Sequence, residues 1–364
     1  MRLVAALLAF VTLALPAAAA EGVGLFDVAA RAKTLATPEF AKARAACLAV
    51  ARDPNWTSMT PIAGLKATEG YGTDQSAEDF AWSVMVLGGR ALAGDAQSRS
   101  DAASLLLRFA KAGAFAKTEV EYDAYFALKR TLLPTIVTYA IVRESLDAAS
   151  RQAIEAWLDP LVRAIDRRFD GDVDVNNHRY LADAVLSVWG GLTGDAALYA
   201  KGAQRYRVAL TTARQDGGLP LEARRGARAL WYQRLALSDL TVIAETAAAR
   251  GDDLYGVIID GRSYDLLVGY LMSGLNAPTL VRAAASANYI PGPSADYLTE
   301  DVGFLKVRGN GRHYMAFAEA VLARGAGTFS RQRLAIAVQA GAFSERPLID
   351  DFIGGNATCF WGRP

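Results

Sequence analysis

The chain has 364 residues, 52% of them apolar and 21% charged, so it can bury a sizeable core and wholesale disorder is excluded. Lys plus Arg numbers 39 against 38 Asp plus Glu, a formal charge of +1, which argues against nucleic acid as a partner. With two histidines (His178, His313) and two cysteines (Cys47, Cys359), CxxC…CxxC zinc sites, HExxH motifs and multi-histidine centres are excluded, and neither a metal nor another cofactor is expected. In chain order, Arg2 precedes an apolar run, Leu3 to Leu15, interrupted only by Thr12. Pro16 breaks it, and Ala18-Ala19-Ala20 supplies a small-residue cleavage site before Glu21. That pattern predicts a cleavable secretory signal over 1–20, too short for a bilayer span, which needs about 20 apolar residues. Residues 21–364 are then expected to form one exported domain without a membrane anchor. In an oxidising compartment Cys47 and Cys359 could pair and tie the two ends together.

Apolar residues at i, i+3, i+4 and i+7 predict helices over 38–52, 76–93, 98–113, 122–143, 148–168, 178–193, 196–214, 227–250 and 262–274. Asp95, Asp147, Thr193-Gly194-Asp195 and Gly251-Asp252-Asp253 read as caps and turns. Pro134 and Pro160 are expected to kink or split their helices. Residues 53–73 show no convincing period and read as a surface loop or a functional lid, with Lys66 and Tyr71 as its polar-tipped side chains. The segment 302–323 reads as a hairpin turning at Arg308-Gly309-Asn310-Gly311, then as helix. The recurring unit is a helix, a short turn and an antiparallel helix. The chain is therefore all-α, and periodicity alone leaves open a solenoid or an α/α barrel.

Three constellations could carry chemistry. Asn176-Asn177-His178 sits at the mouth of a predicted helix. One of the asparagines is expected as an N-cap, while the histidine would place a proton-transfer group beside an amide donor. Arg225, Arg228 and Tyr232, spaced i, i+3 and i+7, share a face if one helix covers them; the alternative is a solvated basic face. Two guanidiniums beside a phenol would suit a carboxylate-bearing substrate. Around Tyr122-Asp123-Ala124-Tyr125-Phe126, core packing with exposed cations is the plain reading, and Tyr125, Lys129 and Arg130 are held as substrate-binding candidates. No GxSxG elbow, Walker A loop or Rossmann glycine fingerprint is present, which argues against a serine hydrolase, NTPase or dehydrogenase.

The combination Asn-Asn-His…Arg-Arg-x-x-Arg-Ala-Leu-x-Tyr resembles the alginate lyase family, polysaccharide lyases with an α/α-barrel (toroid) fold. The stretches QAIEAWLDPLVRAIDRRFD, NNHRYLADAVLSVWGGLTGD and QDGGLPLEARRGARALWYQRLAL are similar to that family in order and spacing over about 145–250. The resemblance implies an incomplete (α/α) barrel acting on an anionic, uronate-containing polysaccharide by β-elimination, in the periplasm or secreted, as a monomer. It implies that Asn177 and His178 are the catalytic Asn-His, Arg225 the catalytic arginine, Tyr232 the catalytic tyrosine and Lys66 the lid lysine. Arg130 stands where relatives tend to carry tryptophan. Phe352, before Gly354-Gly355, stands where they carry a basic residue. Whether Tyr232 or His178 takes the C5 proton stays open. Two other readings are a glycoside hydrolase using two of Asp172, Asp174, Glu222 and Asp239, and a non-catalytic module that binds anionic glycan or scaffolds its export.

Overall fold

The computed structural model describes residues 22–66, 75–120, 122–171, 175–287, 300–309, 311–340 and 345–364. Two short helices, α1 (Val28–Leu35) and α2 (Ala41–Ala49), lead into four helical pairs. These are α3 (Gln75–Leu92) with α4 (Ala96–Lys111), α5 (Tyr122–Val142) with α6 (Ala148–Arg168), α7 (Asn177–Thr193) with α8 (Ala196–Thr212), and α9 (Ala229–Ala249) with α10 (Tyr264–Asn276). After α11 (Thr279–Ala285) comes a hairpin, β1 (Val307–Arg308) and β2 (Arg312–His313), then α12 (Phe317–Ala323) and α13 (Phe329–Gln339). A second small ladder, β3 (Ile349–Asp350) and β4 (Gly355–Asn356), precedes α14 (Ala357–Trp361). Val307 pairs with His313 and Arg308 with Arg312, which is the hairpin expected at this point.

Each tight connection has an identifiable cause. Asp95, Asp147 and Asp195 cap α4, α6 and α8 by accepting backbone N–H groups of the first turn. Gly194 ends α7 in the left-handed conformation, at φ 79°. Such short turns force antiparallel neighbours, so α3, α5, α7 and α9 run the same way and pack in succession as an inner layer. Helices α4, α6 and α8 pack outside them. Burial follows this placement: α7 is buried from Asn177 to Leu192, whereas α4 buries one stripe, including Ala102, Leu105, Leu106 and Phe109. At the α7–α8 contact a Cβ on Gly202 would come within 2.6 Å of Ser187 Cβ, so only glycine fits there. The result is the incomplete α/α toroid that the resemblance implied.

Pro134 and Pro160 do not split their helices; α5 and α6 each run 21 residues. An internal proline costs roughly 3 kcal/mol. Both helices are packed against neighbours along their length, and that burial outweighs the loss. Strand β4 lies against α3 and α5, and the 351–353 turn between β3 and β4 lies against α5 and α9, so the C-terminal segment fills the inside of the inner layer. Gly354 lies at φ 78°, where a Cβ would sit 2.9 Å from Val137 and 3.4 Å from Leu25. Cys47 of α2 and Cys359 of α14 form a disulfide, with Cα atoms 5.4 Å apart at a sequence separation of 312.

A cross-link over so long a loop stabilises chiefly by restricting the unfolded chain. Replacing both cysteines by serine is expected to lower unfolding stability by about 2–5 kcal/mol. Denaturant titration checks this, with a reduced wild type behaving like the double variant.

Candidate functional site

Because the inner helices are parallel, their N-terminal ends share one rim of the toroid. There the orphan backbone N–H groups and the positive ends of the helix dipoles favour anions. The start of α7 is built by two neighbouring side chains. Asn176 is the N-cap, its Oδ1 accepting from the His178 N–H at 3.0 Å. The Asn177 N–H donates to Glu222 Oε1 at 2.5 Å. Asn177 is buried, and its Nδ2 has no hydrogen-bond partner among the described residues. The His178 ring is also buried, 4.6 Å from that of Phe126. Burial, together with the charges of Lys129 and Arg225, holds the imidazole well below its ordinary pKa, so it is neutral at pH 7.

Arg225 and Tyr232 meet, though not on one helix. Gly226, at φ 56°, breaks the backbone, Gly226–Arg228 is a single 3-10 turn and α9 starts at Ala229. Arg225 therefore lies in the preceding loop, with its guanidinium 4.2 Å from the centroid of the Tyr232 ring. Arg228 is engaged elsewhere. Its Nε donates to Asp301 at 3.1 Å, and it lies over Trp231. Asn177, His178, Glu222, Arg225 and Tyr232 thus form one chain of contacts and charge interactions.

The expectation of exposed cations on α5 fails. Lys129 is fully buried; its Nζ donates to the His178 carbonyl at 2.8 Å and sits 3.6 Å from the Phe169 centroid. Arg130 is buried as well, donating to Asp351 from Nε at 2.9 Å, with its guanidinium 5.1 Å from the Phe352 centroid. Arg312 reaches the same Asp351 oxygen at 2.9 Å and Glu78 at 3.2 Å. Burial alone would raise the Asp351 pKa, but Arg130 and Arg312 outweigh it and hold the carboxyl well below the usual range. Tyr125 packs against Phe169 in the core. Lys66 is exposed, at the end of a segment pinned by backbone bonds from Phe115, Lys117 and Glu119 to Ile62, Ala63 and Leu65. Tyr71, Asp172 and Asp174 lie outside the described residues. Asp239 is wholly buried in α9, where desolvation drives its pKa up, a poor position for a hydrolytic acid that must reach a sugar.

Glu222 entered the sequence reading only as one available acid. Its spacing of three residues from Arg225, on a loop aimed at a helix mouth, was the signal for a closer role. Arg312 and Asp351 had no local signal, since their partner Arg130 lies 221 residues before Asp351 in the chain.

The fold is that of solved alginate lyases. A histidine-to-alanine variant of alginate lyase A1-III complexed with a tetrasaccharide superposes with a TM-score of 0.78 over 94% of this chain and 95% of that one, at 22% identity. The enzyme from Sphingomonas species A1 gives 0.74 over 94% and 96%, also at 22% identity. The alginate lyase family model matches residues 132–279, which include Asn177, His178, Arg225 and Tyr232, and the resemblance to that family holds across this segment. A polysaccharide lyase of Stenotrophomonas maltophilia (strain K279a) is 30% identical over 174 residues, 47% of this chain and 52% of that protein. An alginate lyase of Pseudomonas syringae pv. syringae (strain B728a) is 31% identical over 161 residues, 42% of this chain and 43% of that one. These matches span about half the length of the curated relatives.

Removing the Lys129 charge tests the electrostatics. Lys129→Met is expected to raise the His178 pKa while leaving it below 6.5, because burial is the larger cause. Imidazole NMR titration, with His313 assigned by substitution, reads the shift; an unchanged value would contradict the account.

Proposed function

We propose that this chain is an exported polysaccharide lyase that cleaves a uronate-containing anionic polysaccharide, alginate or polymannuronate-like, by β-elimination. The observation that carries the reading is the linkage of Asn177-His178 at the mouth of α7 to the Arg225-capped Tyr232 at the start of α9. The names of the matched relatives and solved structures support the substrate class. Export rests on the signal sequence over 1–20, which lies outside the described residues, and the disulfide suits an oxidising compartment. No helix among the described residues is long and apolar enough to cross a membrane.

The chemistry demands three things. Negative charge that builds on the sugar carboxylate as C5–H is lost must meet donors. A base must take that proton. An acid must protonate the O4 oxygen as the C4–O bond breaks and the C4–C5 double bond forms. Asn177, with its Nδ2 unpartnered among the described residues, is the donor for the carboxylate, with Arg225 and the neutral His178 beside it. An imidazole whose pKa is pushed well down is a weak base, which favours Tyr232, its phenol proton first lost to solvent, as the phenolate that takes the C5 proton and then returns it to O4. Arg225 over the ring offsets the charge that develops on the phenol oxygen. In this scheme Lys66, Tyr71 and Arg228 remain substrate-binding candidates, while Tyr125 belongs to the core. Lys129 acts through the His178 carbonyl, and Arg130 through Asp351.

The purified protein is expected to generate the ultraviolet absorbance of a C4–C5 double bond from polymannuronate. Tyr232→Phe should lower kcat by roughly 10²–10⁴, the ordinary worth of a positioned acid–base group. Full rate in that variant would remove Tyr232 from the mechanism. Saturated reducing ends would indicate a hydrolase, and binding without cleavage a non-catalytic module.

A further inference from the structure

We propose that Glu222 is a positioning residue of the elimination: its carboxylate holds the amide of Asn177, and with it the mouth of α7, against the loop that carries Arg225. The proposal rests on the lyase reading above and deepens it. Asn176 already satisfies the His178 N–H, so the neighbouring amide of Asn177 needs a different acceptor. Glu222, 2% exposed, supplies it at 2.5 Å. The loop is fixed at its other side by Gln233 of α9, whose Oε1 accepts from the Leu219 N–H at 2.9 Å and whose Nε2 donates to the Gly217 carbonyl at 3.0 Å. Residues 217–228 therefore bridge the two inner helices that carry Asn177 and Tyr232. Glu222 is the tie to one, and Gln233 the tie to the other.

Glu222 is also placed to respond to pH. Burial raises its pKa to about 7, against the opposing pull of the Asn177 amide and the Arg225 charge. The titratable groups facing it are Arg225 on its own loop and Tyr180 on α7, the latter also influenced by Arg205 of α8. Below pH 7 the carboxyl is neutral and its grip on the amide is that of an ordinary hydrogen bond. Above pH 7 it is ionised, and a charge-assisted bond is roughly twice as strong. Ionisation thus tightens the site, and kcat should climb with pH through this window.

Two measurements on the full chain decide the matter. The first follows the Asn177 amide by NMR between pH 5 and 9. A downfield shift with a midpoint near 7 in wild type, absent in Glu222→Gln, is expected; an amide that does not titrate overturns the proposal. The second follows kcat and KM on polymannuronate against pH. Glu222→Gln, which keeps an acceptor oxygen, should flatten the kcat profile across neutrality. Glu222→Ala should lose about 10² in kcat with little change in KM, the scale set by a small misplacement of reacting groups. A wild-type pH profile in Glu222→Gln overturns the proposal, and that variant decides even if the alanine variant fails to fold. If the wild type yields no double-bond absorbance, the lyase reading falls and takes the catalytic half of the proposal with it, while the amide titration still reports the hydrogen bond separately.

Discussion

A hydrogen bond from a backbone amide to a buried carboxylate joins the mouth of α7 to the loop before α9. The Asn177 N–H and the Glu222 carboxylate come together where α7 meets the loop before α9. Helix geometry leaves that N–H without an internal partner, and burial leaves the carboxylate without water. Each group supplies what the other lacks. In the proposed site this pairing lies between the amide and imidazole at the start of α7 and the loop that carries the Arg225 guanidinium ahead of the Tyr232 phenol on α9.

Beneath the rim, the interior is polar to a degree unusual for a helical core. Arg130, Arg312, Asp351, Asp350 and Arg234 are all buried where the C-terminal segment enters the inner layer. Buried ion pairs contribute little net stability, because desolvation consumes most of the Coulombic gain. Their effect here is geometric. Asp351 accepts from an arginine on α5 and another on β2, which holds the β3–β4 turn in one orientation inside the toroid. Phe352 packs against the guanidiniums of Arg130 and Arg234, and Tyr314 against that of Arg234.

Much of the architecture is legible in the sequence, for local reasons. The helices from α3 to α10 have capping aspartates, glycine stops and sustained 3.6-residue periods, and their predicted bounds fall within a few residues of those observed. Short elements such as α1 and α11 carry too few turns for a period to show. Helices α5 and α6 continue through Pro134 and Pro160 because packing, which local sequence does not display, holds them together. Candidate site residues follow the same division. Asn177, His178, Arg225 and Tyr232 come from two contiguous motifs and do converge. In sequence Lys129 and Arg130 look like exposed or substrate-binding cations because their partners, the His178 carbonyl and Asp351, are distant along the chain.

The covalent link between α2 and α14 also bears on how the molecule comes into being. Leu25 meets Gly354 inside the toroid, and Cys47 meets Cys359 at its edge, so the earliest and latest described parts of the polypeptide occupy neighbouring places. A chain synthesised from its N-terminus can wind α3 to α9 as it emerges. It cannot seat the interior ladder or oxidise Cys47 correctly until the final turn has followed. Closure of the interior is therefore deferred to completed synthesis, and the inward face of the inner helices must stay soluble through that interval.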